Sequence, residues 1–276
     1  MTRLNGLDFH VEVEGSGRPL LLLHGFTGSV RSWDEVRPDL AQSARVIAVD
    51  LIGHGLTASP DDYRRYTLEW SARDLVVLLD QLDVETVDVA GYSMGGRVAL
   101  HFATSYPERV GGLILESASP GIQDETERQR RILSDEALAQ RIVGRGIEAF
   151  VDEWERQPLL EPAPHVSAER RAIQRAQRLD NRPMGLANSL RGMGAGQQSP
   201  LWSSLPDLHL PVALIVGERD ARYRDIALRM RERLPAAALW TVPGAGHTVH
   251  LDQPRRFLDL VTAALDNKLT HPTTRC

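Results

Sequence analysis

The stretch Val89-Ala90-Gly91-Tyr92-Ser93-Met94-Gly95-Gly96-Arg97-Val98-Ala99-Leu100 decides how the chain is read. An apolar run of strand character enters Gly-x-Ser-x-Gly and leaves it directly as a helix. A serine on so sharp a strand-to-helix turn has strained backbone geometry. Gly91 and Gly95 are needed there because side chains would collide with neighbouring backbone. The turn lifts the Ser93 hydroxyl above a sheet. The helix that follows adds free N–H groups and a positive dipole end, which favour an oxyanion beside Ser93. The five-residue pattern alone also fits a glycine-rich turn with a surface serine, so the reading rests on its partners.

A serine nucleophile or base needs a histidine, and the histidine an orienting acid. Pro211-Val212-Ala213-Leu214-Ile215-Val216-Gly217 reads as a buried parallel strand, with Glu218-Arg219-Asp220 at its carboxyl end. Asp220 is the natural acid. After a further helix and a short strand at 239–242 comes Pro243-Gly244-Ala245-Gly246-His247, a loop that permits close approach, and His247 is the natural base. Glu218 competes as the acid and His250 as the base. The order Ser93, Asp220, His247 resembles that of a nucleophile elbow in the α/β-hydrolase fold. Upstream, Pro19-Leu20-Leu21-Leu22-Leu23-His24-Gly25-Phe26 is a hydrophobic strand ending in His-Gly. That turn is expected to aim the Phe26 N–H inward, where with the N–H of Met94 it makes an oxyanion hole. His24 itself reads as a structural hydrogen bonder.

Outward from the elbow, strands and helices alternate. Leu7-Asp8-Phe9-His10-Val11-Glu12-Val13 alternates apolar and polar residues like a half-exposed strand, and Glu14-Gly15-Ser16-Gly17 turns it into the buried strand at 20–23. A helix of about ten residues is expected around 33–40, then a strand at 45–50. In the loop after it Asp50 is expected to fix backbone N–H groups. Thr67 is placed to cap a helix running to Leu82, followed by strands at 86–90 and 111–116. From about 121 to 205 no strand is visible, only amphipathic stretches rich in Arg, Glu and Gln. Such alternation implies a mostly parallel sheet covered by helices on both faces, with the site above the strands' carboxyl ends.

The expected architecture is thus an α/β-hydrolase fold with a helical cap inserted after the sixth strand. Residues 1–120 form the first part of the core, 121–205 the cap, 206–266 the second part and 267–276 a loose tail. The cap would close the pocket, exclude water and touch the substrate.

At 276 residues the chain suits one generous core. Its net charge of −5 argues against a nucleic-acid partner, because outside the insertion at 121–205 no basic stripe is visible to meet phosphates. Cys276 is the only cysteine, which excludes disulfides within the chain and Cys-x-x-Cys metal sites. Residues 1–8 lack the basic patch and apolar core of a secretory signal, and no apolar run approaches bilayer length. A cytoplasmic location without membrane insertion is expected, and oligomeric state is left open.

Arg97 lies four residues after Ser93, on the same face of the helix. A buried guanidinium requires an anion. Spacing leaves two open: a substrate carboxylate, which arginine grips in bidentate fashion, or an internal acid such as Glu116. Here a specific resemblance enters. Gly91-Tyr92-Ser93-Met94-Gly95-Gly96-Arg97, then Glu116-Ser117-Ala118-Ser119-Pro120-Gly121-Ile122, then Glu127-Arg128 and Arg131, resembles the SHCHC (2-succinyl-6-hydroxy-2,4-cyclohexadiene-1-carboxylate) synthases of menaquinone biosynthesis. The likeness continues through Trp154 with Gln157-Pro158-Leu159, Gly185-Leu186-Ala187-Asn188-Ser189-Leu190-Arg191-Gly192-Met193-Gly194, Gln197 and Leu201-Trp202. It departs at Leu160, where the family often has phenylalanine, at Ala195, where it has threonine, and at Arg222-Tyr223, where it has Lys-Phe. These departures bear on pocket shape rather than reaction type.

The resemblance implies a lyase that eliminates pyruvate from 2-succinyl-5-enolpyruvyl-6-hydroxy-3-cyclohexene-1-carboxylate, a small polycarboxylate. It implies that Arg97, Arg131 and Arg178 hold carboxylates and that Tyr92 and Trp154 line the pocket. Without it, Arg131 and Arg178 would read as a solvated helix face. No metal or organic cofactor is expected, since an enolate beside an oxyanion hole needs neither. Two other classes share these features: a carboxylesterase or carbon–carbon bond hydrolase, marked by an acyl-enzyme burst, and a ligand receptor that binds without turnover.

Overall fold

Leu20 and Leu22 face one side of their strand, Leu21 and Leu23 the other, and all four are fully buried. A run buried throughout belongs to a strand covered on both faces. The computed structural model, which describes residues 1–266, contains the sheet that does this. The tail expected at 267–276, with Cys276, lies outside the described residues.

In chain order the elements are β1 (Thr2–Leu4), β2 (Leu7–Phe9), β3 (Val11–Glu14), β4 (Arg18–Leu23), α1 (Arg37–Leu40), β5 (Ala44–Val49), α2 (Leu68–Gln81), β6 (Val87–Tyr92), α3 (Met94–Ser105) and β7 (Val110–Glu116). There follow α4 (Glu125–Trp154), α5 (Ala168–Leu179), α6 (Pro183–Met193), β8 (Val212–Gly217), α7 (Ala221–Arg231), β9 (Ala237–Val242), α8 (Val249–Asp252) and α9 (Pro254–Leu265). Seven strands form one sheet in the order β3-β5-β4-β6-β7-β8-β9, parallel except for β3. β6 is the middle strand, so the turn after it opens at the centre of the sheet's carboxyl edge. Leu21, Leu23 and Ile47 pack against Leu78 and Leu79 of α2 and Phe102 of α3. On the opposite face Leu20, Leu22 and Val46 meet Trp33, Leu40 and Phe257. Each fully buried leucine is worth roughly 2 kcal/mol of transfer free energy, so both helical covers stabilise the sheet.

Three local features differ from expectation. The strand expected across residues 7–13 is two, because His10 leaves the ladder: its N–H donates to Thr57 Oγ1 at 2.9 Å and its Nδ1 lies 3.0 Å from Asp50 Oδ2. β2 therefore folds back on β1 as a separate hairpin, while β3 joins the edge of the main sheet. Asn5 at φ 44° and Gly6 at φ 87° supply the left-handed pair that a two-residue hairpin turn requires. The helix expected around 33–40 is instead a 3-10 turn (Val30–Trp33) followed by the four-residue α1. Pro38 has no N–H to extend a helix through this stretch, and its ring would collide with the carbonyl of Asp34. The cap follows β7, which is the fifth strand of the main sheet and the seventh of the chain, rather than the sixth. The chain reaches seven strands before the cap because β1 was not foreseen and the single strand expected at 7–13 is split into β2 and β3; β1 and β2 stay outside the main sheet, which leaves five in it.

Helices α4, α5 and α6 lie between β7 and β8 and have a core of their own, built from Ala139, Ile142, Phe150, Val151, Leu186 and Leu190. Phe26 and Trp154 pack against it, joining cap to body. Trp202 and Leu205 already belong to the main core, so the chain rejoins the body slightly before the expected boundary at 205. Among the described residues no helix is long and apolar enough to cross a membrane.

Candidate active site

β6 ends at Tyr92, and Ser93 takes φ 50°, ψ −105° before α3 begins. Holding a non-glycine residue there costs on the order of 1–3 kcal/mol and requires surroundings that permit nothing else. Ser93 N donates to Glu116 O at 2.8 Å, tying the turn to the end of β7. A Cβ on Gly91 would stand 2.5 Å from Gly95 O, and one on Gly95 2.1 Å from Leu23 O. Only glycine allows strand and helix to approach this closely.

His247 Nε2 lies 3.0 Å from Ser93 Oγ, and His247 Nδ1 lies 2.6 Å from Asp220 Oδ2. The carboxylate holds the proton on Nδ1 and leaves Nε2 to accept from the serine hydroxyl. Asp220 Oδ1 accepts the Tyr223 N–H at 3.1 Å, capping α7, and the Tyr223 ring packs on His247 with centroids 4.6 Å apart. The competing residues stand elsewhere. Glu218 is exposed and accepts the Gly244 N–H at 2.9 Å. His250 Nδ1 is 2.7 Å from Glu116 Oε2, while its backbone N–H donates to Glu116 Oε1 at 3.0 Å.

The loop after β4 turns tightly, with Gly28 N donating to Gly25 O at 3.0 Å and Thr27 at φ 68°. His24 pins it: Nε2 accepts the Leu51 N–H at 2.9 Å and Nδ1 donates to Gly25 O at 2.8 Å. Those two bonds need an uncharged ring, and burial lowers the His24 pKa to about 4. Phe26 and Met94 both line the cavity that contains Ser93. Met94 is the first residue of α3, so its N–H belongs to the free donors of a helix start.

This cavity, about 410 Å³, is roofed by the cap. Four arginines line it: Arg97, Arg131, Arg141 and Arg222. Arg131 Nε pairs with Asp135 Oδ1 at 2.8 Å, and Arg141 Nη2 with Glu153 Oε1 at 3.1 Å. Arg97 Nη1 donates to the Met193 carbonyl at 2.7 Å, and among the described residues it has no carboxylate partner; nor has the exposed Arg222. Glu116, the internal acid considered for Arg97, is taken by His250. Burial draws the Arg97 pKa down to about 10, with the nearby Arg131 also opposing its charge. The group stays protonated at neutral pH, opposed by Arg131 and favoured by Asp135, but with no carboxylate at ion-pair distance among the described residues. A carboxylate ligand would relieve that arrangement.

Arg178 does not line this cavity. It stands in a neighbouring one of about 380 Å³, and its Nη1 donates to Glu155 Oε1 at 2.8 Å. Phe26, Tyr92, Trp154 and Leu160 line both cavities and form the shared wall. Burial pushes the Tyr92 phenol pKa up, and its hydroxyl pairs with Thr248 Oγ1 at 2.7 Å. Sequence reasoning had linked Arg222 to the pocket only as a departure bearing on its shape, without a substrate-binding role, and had not singled out Arg141. Arg222 was findable, two residues beyond Asp220 at the start of a helix that begins at the site; Arg141 is one of many cap arginines and carries no such signal. Among the described residues no group of three or more His, Cys, Asp or Glu is placed to hold a metal ion.

With this geometry in hand, comparison with known proteins is direct. Residues 18–254 match the family model of the alpha/beta hydrolase fold. A Bacillus subtilis (strain 168) protein provisionally named as a 2-succinyl-6-hydroxy-2,4-cyclohexadiene-1-carboxylate synthase is 43% identical over 270 residues, 96% of this chain and 97% of that one. The Klebsiella pneumoniae enzyme of that name is 33% identical over 235 residues, 85% of this chain and 88% of its own. The structure of MenH from S. aureus superposes with a TM-score of 0.89 at 31% identity, covering 95% of this chain and 99% of that one. The chain belongs to the α/β-hydrolase superfamily and, within it, to the SHCHC synthase family.

Proposed function

We propose that this protein is a lyase that eliminates pyruvate from 2-succinyl-5-enolpyruvyl-6-hydroxy-3-cyclohexene-1-carboxylate, giving SHCHC for menaquinone biosynthesis. The observation that carries this reading is the hydrogen-bonded Ser93–His247–Asp220 series opening into a cavity whose Arg97 has no carboxylate partner. A proton-abstracting group thus faces a site built for a polyanion. Ser93 Oγ takes the ring proton beside the succinyl ketone while its own proton passes to His247 Nε2, and Asp220 stabilises the resulting imidazolium. The enolate oxygen rests on the Phe26 and Met94 N–H groups. Electrons return through the ring double bond, the carbon–oxygen bond to the enolpyruvyl group breaks, and the departing enolate takes up the proton held by His247 to become pyruvate. No acyl-enzyme forms.

Arg97 and Arg131 hold carboxylates inside this cavity, and Arg178 acts from the adjoining one, across the wall that Tyr92 and Trp154 provide. A diffusible polycarboxylate substrate also fits the cytoplasmic location expected from the sequence. The test follows pyruvate release together with the absorbance of the conjugated diene. Wild type should give both in equal amounts, and Ser93→Ala should lower kcat on the order of 10³-fold or more. Full activity in Ser93→Ala would remove Ser93 from the mechanism. Turnover of simple esters with an acyl-enzyme burst and no pyruvate would make a serine hydrolase the better reading.

A further inference from the structure

Between α4 and α5 the cap descends onto the loop that carries His247, and one carboxylate joins the two. Asp252, in the short helix α8, is buried. Its Oδ2 accepts the N–H of Gly246, the residue before His247, at 2.7 Å. Its Oδ1 accepts the N–H of Ala163, in the cap, at 2.9 Å. Its own carbonyl accepts a third bond, from His165 Nε2, at 2.5 Å. Each carboxylate oxygen is therefore committed to a different part of the molecule, through charge-assisted bonds that are shorter and stronger than neutral ones.

The other side of the His247 loop is held by the Asp220 loop: Arg219 N donates to Ala245 O at 2.9 Å and Gly244 N to Glu218 Oε2 at 2.9 Å. Packing there is tight, since a Cβ on Gly217 would stand 2.0 Å from Gly246 O. Ala163 follows closely on Leu159 and Leu160, which line the Ser93 cavity. An unbroken series thus runs from the cavity roof through Ala163 and Asp252 to the peptide bond that enters the base. Asp252 touches neither substrate nor reacting atoms, and it plays no part in the proton transfers described above.

We propose that Asp252 is a positioning residue for His247, coupling the seating of the cap to the aim of Nε2 at Ser93. The inference rests on His247 acting as the base. Two substitutions test it from opposite ends. Asp252→Asn keeps the volume but offers one acceptor and one donor, so one of the two N–H groups meets another N–H. Ala163→Pro deletes the donor from the cap side, in a stretch that already reads Pro162-Ala163-Pro164, and leaves Asp252 and the His247 loop chemically intact.

Because displacement of a catalytic group by about 1 Å costs on the order of 100-fold, each variant should lose roughly 10- to 100-fold in kcat, with a smaller change in KM. The double variant should lose no more than the worse single, as expected when both cut one connection. The low-field proton resonance of His247 Nδ1–H, a signature of its 2.6 Å bond to Asp220, should shift or broaden in both variants. A kcat per folded site equal to wild type in either variant, losses that multiply in the double variant, or an unmoved resonance would overturn the proposal. If Asp252→Asn does not fold, Ala163→Pro decides alone. The resonance is read without substrate, so failure of wild type to release pyruvate would count against the lyase reading and leave this test intact.

Discussion

Two histidines beneath the loop after β4 make a pH prediction with a definite sign. His24 and His54 are both fully buried with ring centroids 5.2 Å apart, and the Phe26 ring meets His54 edge-on at 5.7 Å. Burial lowers the His24 pKa to about 4 and the His54 pKa to about 3, the latter helped by His24. In the unfolded chain both return to about 6.5, so at intermediate pH the unfolded state binds more protons than the folded one. Stability from these groups is therefore complete above about pH 6.5 and declines as pH falls toward 4 and then 3, His24 alone accounting for roughly 3 kcal/mol. Urea midpoints measured from pH 7.5 down to 4.5 should fall steeply for wild type and less steeply for His54→Gln, which carries no proton-binding ring; parallel profiles would exclude the pair as the cause. The structural role of His24 was legible because a His-Gly pair ending a strand has backbone groups close to its ring. Asp50 was legible in the same way, and it does accept the N–H groups of Val30 at 2.6 Å and Leu56 at 2.8 Å.

Among the elements, α4 makes a discriminating case, because two glycines two residues apart do opposite things. Gly146 breaks the helix at φ 81°, ψ 174°, which aims the segment carrying Phe150 and Trp154 onto Phe26, whose ring centroids lie 6.2 Å and 5.3 Å away. Gly144 has helical geometry, and a Cβ at either position would meet nothing within 4 Å. Space being equal, backbone conformation alone decides the outcome. Gly144→Ala should stabilise by roughly 0.5–1 kcal/mol. Gly146→Ala should cost about 1–3 kcal/mol and lower kcat by displacing Trp154 from the cavity wall. Thermal melts of the two variants should move in opposite directions, and a shared direction would mean that the break at Gly146 is not held in solution. Neither glycine stood out in the sequence, since a kink of this kind depends on where the cap's core pulls the two half-helices. The helix α2, by contrast, was readable to its cap, Thr67 Oγ1 accepting the Trp70 N–H at 3.3 Å, because that signal is local. The hairpin of β1 and β2 was readable too, through Asn5-Gly6, and was passed over.

Across the whole molecule, the sheet and the order of its chemical groups follow from local patterns, whereas the division of the pocket does not. Arg97 was placed by its helical distance from Ser93. Arg178 was assigned by family likeness, yet it faces the adjoining cavity because α5 packs against the 3-10 turn at Val30–Trp33, a contact between segments over a hundred residues apart. The same long-range assembly concentrates positive charge against the overall balance. The chain carries a net charge of −5, but four arginines and a single acid, Asp135, line the Ser93 cavity. That one acid is already paired with Arg131 at 2.8 Å, so it offsets only part of the positive charge. A polycarboxylate approaching an acidic protein is thus drawn specifically to the cavity, and the attraction is screened as salt shortens the Debye length from about 30 Å at 0.01 M to about 3 Å at 1 M. The expected result is a steep fall of kcat/KM with added NaCl, carried mostly by KM, while kcat, set by bonds inside the closed site, changes little. Arg222→Gln removes an exposed cation at the cavity without breaking an ion pair, so it should lower kcat/KM at low salt and flatten the salt dependence. Steady-state rates from about 0.02 to 0.5 M NaCl decide the matter: a flat wild-type profile, or an Arg222→Gln profile as steep as wild type, would show that this field does not guide the substrate.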